Sequence, residues 1–138
     1  FVTEEIKAEL ADEQRFNYLL VFTDDQPVGY AKIVFHESVS GFGAEPVGEI
    51  ERFYLFKSHH GKGVAQVLMD AVFKVLLSRG IRWVVLGVDV NNHRAIRFYS
   101  GYGFEVYGKK IFKVGSVDDT DQLMKLDLRT ISPRNPSA

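Results

Sequence analysis

The sequence predicts a single α/β (α+β) domain over residues 1–138, built on a mixed, mostly antiparallel sheet, and three observations carry that expectation. Apolar stretches rich in β-branched and aromatic residues alternate with stretches of helical period. The run 83–88 is apolar without alternation, which suits a parallel strand buried on both faces. Gly61 and Gly63 stand between the strand 50–56 and an amphipathic helix, marking a strand-to-helix joint.

The elements follow in order. Thr3 with Glu4 and Glu5 opens a short helix to about Ala11, its acids in the first turn, where the dipole favours them. Strands are expected at 18–22 and 28–35, joined by the turn signal Thr23-Asp24-Asp25-Gln26-Pro27. Residues 36–46, with Gly and Ser, read as a loop, and 47–56 as a strand. A helix follows, with Val64, Leu68, Ala71, Val72 and Val75 on one face, running to about Arg79 with Gly80 as its stop. Beyond the strand 81–90 and the helix 92–100, residues 104–107 and 124–128 read as antiparallel strands, with Lys125 and Asp127 outward. Asp118, Asp119 and Asp121 fall on the loop between them, and 133–138 is a tail.

The glycines carry the first functional signal. The first N–H groups of a helix lack intrahelical partners and the dipole there is positive, so a glycine-lined helix start suits a phosphate. A nucleotide triphosphatase loop would need Ser or Thr after Lys62, where Gly63 stands. A dinucleotide fingerprint would need Gly or Ala at Gln66 and an acid about 20 residues on. Neither pattern is met.

His60-Gly61-Lys62-Gly63-Val64-Ala65 resembles the Gln/Arg-x-x-Gly-x-Gly/Ala motif of the GNAT family of N-acetyltransferases, with His60 where the family usually has Arg or Gln. A second stretch, Asn92-His93-Arg94-Ala95-Ile96-Arg97-Phe98-Tyr99 with Gly103-Phe104 after it, resembles the family's later motif, Asn-x-x-Ala-x-x-x-Tyr and then Gly-Phe. The resemblance runs from about Tyr18 to Leu128. Its closest look, from Glu51-Arg52-Phe53-Tyr54-Leu55 and the 112–128 tail, is to PaiA-type polyamine acetyltransferases. It implies the GNAT fold, with the sheet splayed between the motif strand and the next parallel strand and helices on both faces. Family members usually begin with a strand and a helix ahead of the first helix read here, so the resemblance also implies an amino-terminal truncation or a segment not included in 1–138.

The resemblance implies acetyl-CoA as cosubstrate, held by Leu55, Phe56, His60, Gly61, Lys62, Gly63, Val64, Ala65, Asn92 and Tyr99. It implies an oxyanion-binding amide at Leu55, an arm-holding amide at Asn92 and a thiolate-protonating hydroxyl at Tyr99. The chemistry needs a base as well. An alkylamine, with a pKa of about 10.4, is protonated at neutral pH and must lose a proton before it attacks. Glu49 and Glu51, at i and i+2 of one strand, share a face. Glu49 aligns best with the family's catalytic glutamate, and the choice between the two stays open.

The expected acceptor is a primary amine of a small molecule. Glu49, Glu51, Asp118, Asp119 and Asp121 around one cleft mouth would attract a polyamine. The alternatives are a protein or peptide lysine or N-terminal acetyltransferase, and a non-catalytic acyl-CoA-binding module. A homodimer is left open. A formal charge of −1 offers no basic surface for nucleic acid, and no apolar run of 18 residues spans a membrane. With no cysteine, there is neither a thiolate metal site nor an acyl-cysteine. His59 and His60 are adjacent and point apart, and His36 and His93 have no spaced carboxylate partner, so no metal is expected. The first residues are acidic and polar, unlike a signal peptide, and a cytoplasmic location is the expectation.

Overall fold

The computed structural model describes residues 4–56 and 63–131. Helix α1 (Glu4–Ala11) leads into strands β1 (Phe16–Thr23), β2 (Gln26–His36) and β3 (Val47–Leu55). Helix α2 (Val64–Ser78), β4 (Trp83–Asp89), α3 (His93–Gly101), β5 (Glu105–Val114) and β6 (Val117–Asp127) follow, and a 3₁₀ turn, Leu128–Thr130, closes the described chain. The six strands of the described residues form one sheet in the order β1-β2-β3-β4-β6-β5, in which β3 and β4 run parallel and the other neighbours antiparallel. This is the mixed sheet that the sequence predicts.

Local chemistry explains the joints. Asp24 and Asp25 take φ of 50° and 65°, two successive left-handed residues whose twist suits a tight hairpin. Gly80, at φ 70°, lets the Ile81 N–H turn back onto the Leu76 carbonyl and end α2.

The main core lies between the sheet and the pair α2 and α3. From α2 it takes Leu68, Met69, Val72, Phe73 and Leu76. This corrects the expected stripe, of which only Leu68 and Val72 are buried, while Val64 and Val75 pack at its margin. The helix is apolar on more than one side, so periodicity alone leaves its rotation open.

The opposite face of the sheet carries α1. Glu9 accepts hydrogen bonds from the Tyr18 hydroxyl (2.6 Å) and the Lys32 ammonium (2.9 Å), residues that alternate with the core-facing Leu19, Ala31 and Ile33. Lys32 is only 4% exposed, yet it also pairs with Glu51 at 2.9 Å. Burial works against its charge, but the two carboxylates outweigh burial and hold the ammonium above the usual lysine range. On this face the loop after β2 is anchored. Phe42 is buried with Val47 and Val85, its ring edge-on to Trp83 (5.4 Å) and Tyr107 (5.5 Å).

Two further departures matter for the site. The segment expected as two short strands and an acidic loop is one long β5–β6 ribbon turning at Gly115 (φ 66°). Asp118, Asp119 and Asp121 therefore stand within β6, and Lys113 and Lys110 face Asp118 and Asp121 across the ribbon. The β2–β3 register also slips, with Lys32 opposite Arg52 but Ile33 opposite Ile50, so Glu51 is the extra residue of a bulge.

Candidate active site

The last pair between β3 and β4 is Ile50 with Leu86. β3 continues to Leu55 and β4 to Asp89 without pairing to each other, so the two strands splay just past the bulge. Gly29 of β2 braces the outer arm of β3, since a Cβ there would lie 2.6 Å from the Tyr54 carbonyl oxygen. The Phe56 N–H donates to the Val28 carbonyl at 2.9 Å. Backbone groups alternate sides along a strand, so Leu55 directs its N–H to the other, splayed side.

Beside this arm lies a cavity of about 590 Å³, bounded by Phe53 and Leu55 of β3, Ala65 and Gln66 of α2, and Asn92 and Tyr99 of α3. Gly63 stands at the N-cap of α2, in a left-handed conformation (φ 77°) that a side chain would strain. Gly63 offers no side chain as a cap and no acid sits in the first turn, so among the described residues no side chain competes with an anion for the positive dipole end. Among the described residues nothing lies within 4 Å of where a Gly63 Cβ would be. Gly63→Val is therefore expected to strain the left-handed turn, place a side chain beside the helix-start N–H groups and weaken acetyl-CoA binding at least about tenfold. Calorimetric titration checks this.

Asn92 caps α3, its Oδ1 accepting from the Ala95 N–H at 3.2 Å, which leaves the side-chain NH₂ as donor toward a ligand. Tyr99 is 8% exposed, edge-on to Phe53, Phe98 and Phe104, and burial pushes its phenol up to about 12. The folded pKa lies above the ordinary value of about 10, so the protonated phenol favours the fold. Its contribution to stability is complete below pH 10 and is lost as pH rises from about 10 through 12. An ultraviolet pH titration should show Tyr99 ionising after the exposed tyrosines, and unfolding measurements should show stability falling over the same window.

Glu49 and Glu51 do share a face. Glu49 stands opposite Val34, and Glu51 reaches Lys32, which lies on the same side of β2. Neither lines the cavity; both lie on the α1 side of the sheet. Glu51 is tied to Lys32, whereas Glu49 meets His36 Nε2 at 2.7 Å. The register separates them from the β6 acids and corrects the expected five-carboxylate mouth. Glu49 shares a row with Val85 and Lys125, while Asp121 faces Asp89, four residues along β4. What gathers there is Asp89, Asp119 and Asp121. Burial and then repulsion from Asp89 and Asp119 push the Asp121 carboxyl up, against the pull of Lys110.

Other expected residues fall differently. His60, Gly61 and Lys62 lie outside the described residues. Phe56 and Val64 are not in the cavity wall, and the Phe56 amide is committed to β2. Phe53, Gln66, Arg94 and Phe98 are in the wall although the sequence reading gave them no role. Among the described residues no group of three or more acids, histidines or cysteines could hold a metal, and no helix is long and apolar enough to cross a membrane.

Comparison with known proteins agrees with this architecture. The model of the acetyltransferase (GNAT) family matches residues 2–104. An uncharacterized N-acetyltransferase of Mycobacterium tuberculosis is 32% identical over 121 residues, covering 88% of this chain and 73% of its own. An aminoglycoside N(6')-acetyltransferase type 1 of Stenotrophomonas maltophilia is 30% identical over 103 residues, covering 74% and 67%. Among solved structures, the PaiA N-acetyltransferase of Thermoplasma acidophilum in complex with coenzyme A superposes with a TM-score of 0.69 at 22% identity, covering 90% of this chain and 70% of that one. The chain belongs to the GNAT family of acetyltransferases. It is an acetyl-CoA-dependent N-acetyltransferase that acts on an amine acceptor.

Proposed function

We propose that the chain transfers the acetyl group directly to a primary amine of a small molecule, with Glu49 as base and Tyr99 as acid. The observation that carries this reading is the splay, which sets an anion-ready helix start and the buried Tyr99 hydroxyl on one side of the sheet and Glu49 on the other. Acetyl-CoA supplies an activated thioester when bound. The α2 N–H groups and the Arg94 guanidinium in the wall suit its phosphates, and the outer arm of β3 and the Asn92 NH₂ suit its amide-bearing arm.

Glu49 accepts the acceptor's proton through a water, freeing the nitrogen lone pair for attack. The Leu55 N–H, aimed at the splay, stabilises negative charge as it develops on the carbonyl oxygen. Tyr99, neutral at any working pH, donates a proton to the departing sulfur. Glu51 takes no part, because its carboxylate neutralises the buried Lys32.

The finer reading is a polyamine acceptor. Asp89 and Asp119 repel Asp121 beside the end of β4, and a second ammonium on the acceptor would relieve that repulsion. The PaiA likeness in fold points the same way. The test is an acceptor screen that reads thiol release from acetyl-CoA with polyamines, amino acids, aminoglycosides and a lysine peptide. Turnover of spermidine that weakens with added salt supports the polyamine reading. Turnover confined to neutral or acidic amines removes it, and turnover of the peptide alone removes the small-molecule reading.

A further inference from the structure

We propose that His36 is the positioning residue for Glu49, holding one carboxylate oxygen so that the other faces the acceptor. The inference rests on the reading of Glu49 as base and adds a residue to it. Glu49 stands at the root of the splay and is about one-third exposed, so its side chain would otherwise sample several rotamers. His36 Nε2 meets its Oε1 at 2.7 Å, diagonally across the β2–β3 pair, because His36 itself stands opposite Val47 and Glu49 opposite Val34. With hydrogen on Nε2 the imidazole donates to Oε1 and leaves Oε2 as the basic oxygen.

His36 is itself held. It is the last residue of β2, where a strand end would fray. Its neighbour Phe35 donates its N–H to the Arg15 carbonyl at 2.7 Å and lies under the Arg79 guanidinium, 3.6 Å from the ring centroid. Arg79 in turn donates to the Glu13 and Gln14 carbonyls. Beyond His36, the buried Phe42 pins the departing loop against Trp83 and Tyr107. The backbone that carries His36 is thus held on both sides, and a carboxylate paired with a donor on a held strand end loses less freedom on reaching the reactive geometry.

The test compares Glu49→Gln, His36→Ala and His36→Gln, using acetyl-CoA and the amine with the fastest thiol release in the screen above. His36→Ala is expected to lower kcat about 10- to 100-fold with the KM for acetyl-CoA nearly unchanged. Added imidazole should restore part of that loss. His36→Gln, which keeps an N–H donor at similar reach, should recover most of it. A merely structural histidine would instead lower the melting temperature and leave kcat per folded molecule intact. The proposal is overturned by His36→Ala with wild-type kcat, or by His36→Gln as slow as His36→Ala. Full activity in Glu49→Gln would instead sink the base assignment, and a screen without any turnover overturns both.

Discussion

Glu49→Gln is expected to lower kcat by about 10²- to 10³-fold while leaving acetyl-CoA affinity and the melting temperature near those of the wild type. The amide keeps the size of the side chain and an oxygen that accepts from His36, but cannot take a proton at neutral pH. Raising the pH should recover part of the rate, because more acceptor then arrives already deprotonated. The same change at Glu51 should fall on stability instead, since Lys32, buried between Glu9 and Glu51, would lose one of its two carboxylates. Steady-state kinetics and thermal unfolding of both variants separate these outcomes. A Glu51→Gln variant as slow as Glu49→Gln would reverse the assignment.

The second large effect is expected at Tyr99. Tyr99→Phe keeps the ring that packs against Phe53, Phe98 and Phe104 and removes only the hydroxyl, so kcat should fall about 10²-fold with little change in melting temperature. Burial, which holds the phenol up to about 12, keeps its proton in place across the physiological range, as a donor to a leaving sulfur requires. Stopped-flow measurement of thiol release checks it. A variant that turns over at the wild-type rate would leave Tyr99 a core aromatic with an idle hydroxyl.

The parts of the fold that were legible in the sequence are those governed by local chemistry. Asp24-Asp25 declares a hairpin because few residues tolerate two left-handed positions in succession. Gly63 and Gly80 bracket α2 because each adopts a positive φ. What stayed hidden depends on partners distant in the chain. Lys110 and Lys113 look like loop residues until Asp121 and Asp118 stand opposite them in the β5–β6 ribbon. Phe42 sits in a Gly-rich stretch and becomes a core residue only when Val47 and Val85 arrive beneath it.

The site divides the same way. The helix-start glycine, Asn92 and Tyr99 are spaced within short segments, so their pattern is visible. The bulge at Glu51, which bends β3 at the splay, is a property of the β2–β3 register and has no one-strand signature. The contact of His36 with Glu49 joins residues thirteen apart across a strand pair, and a histidine at a strand end looks like any surface histidine. Lys32 is harder still, because a lysine in a strand reads as solvated unless both Glu9 and Glu51 are known to meet it.

The proposed acetyl-CoA site is one location, the cavity between the outer arm of β3, the first turn of α2 and the start of α3. Hydrogen–deuterium exchange with and without acetyl-CoA tests it most directly. The expected result is slowed exchange at Phe53 and Leu55, at Ala65 and Gln66, and at the amides following Asn92, with the β5–β6 ribbon unchanged. Protection confined to the ribbon or to α1, with none at the splay, would contradict it.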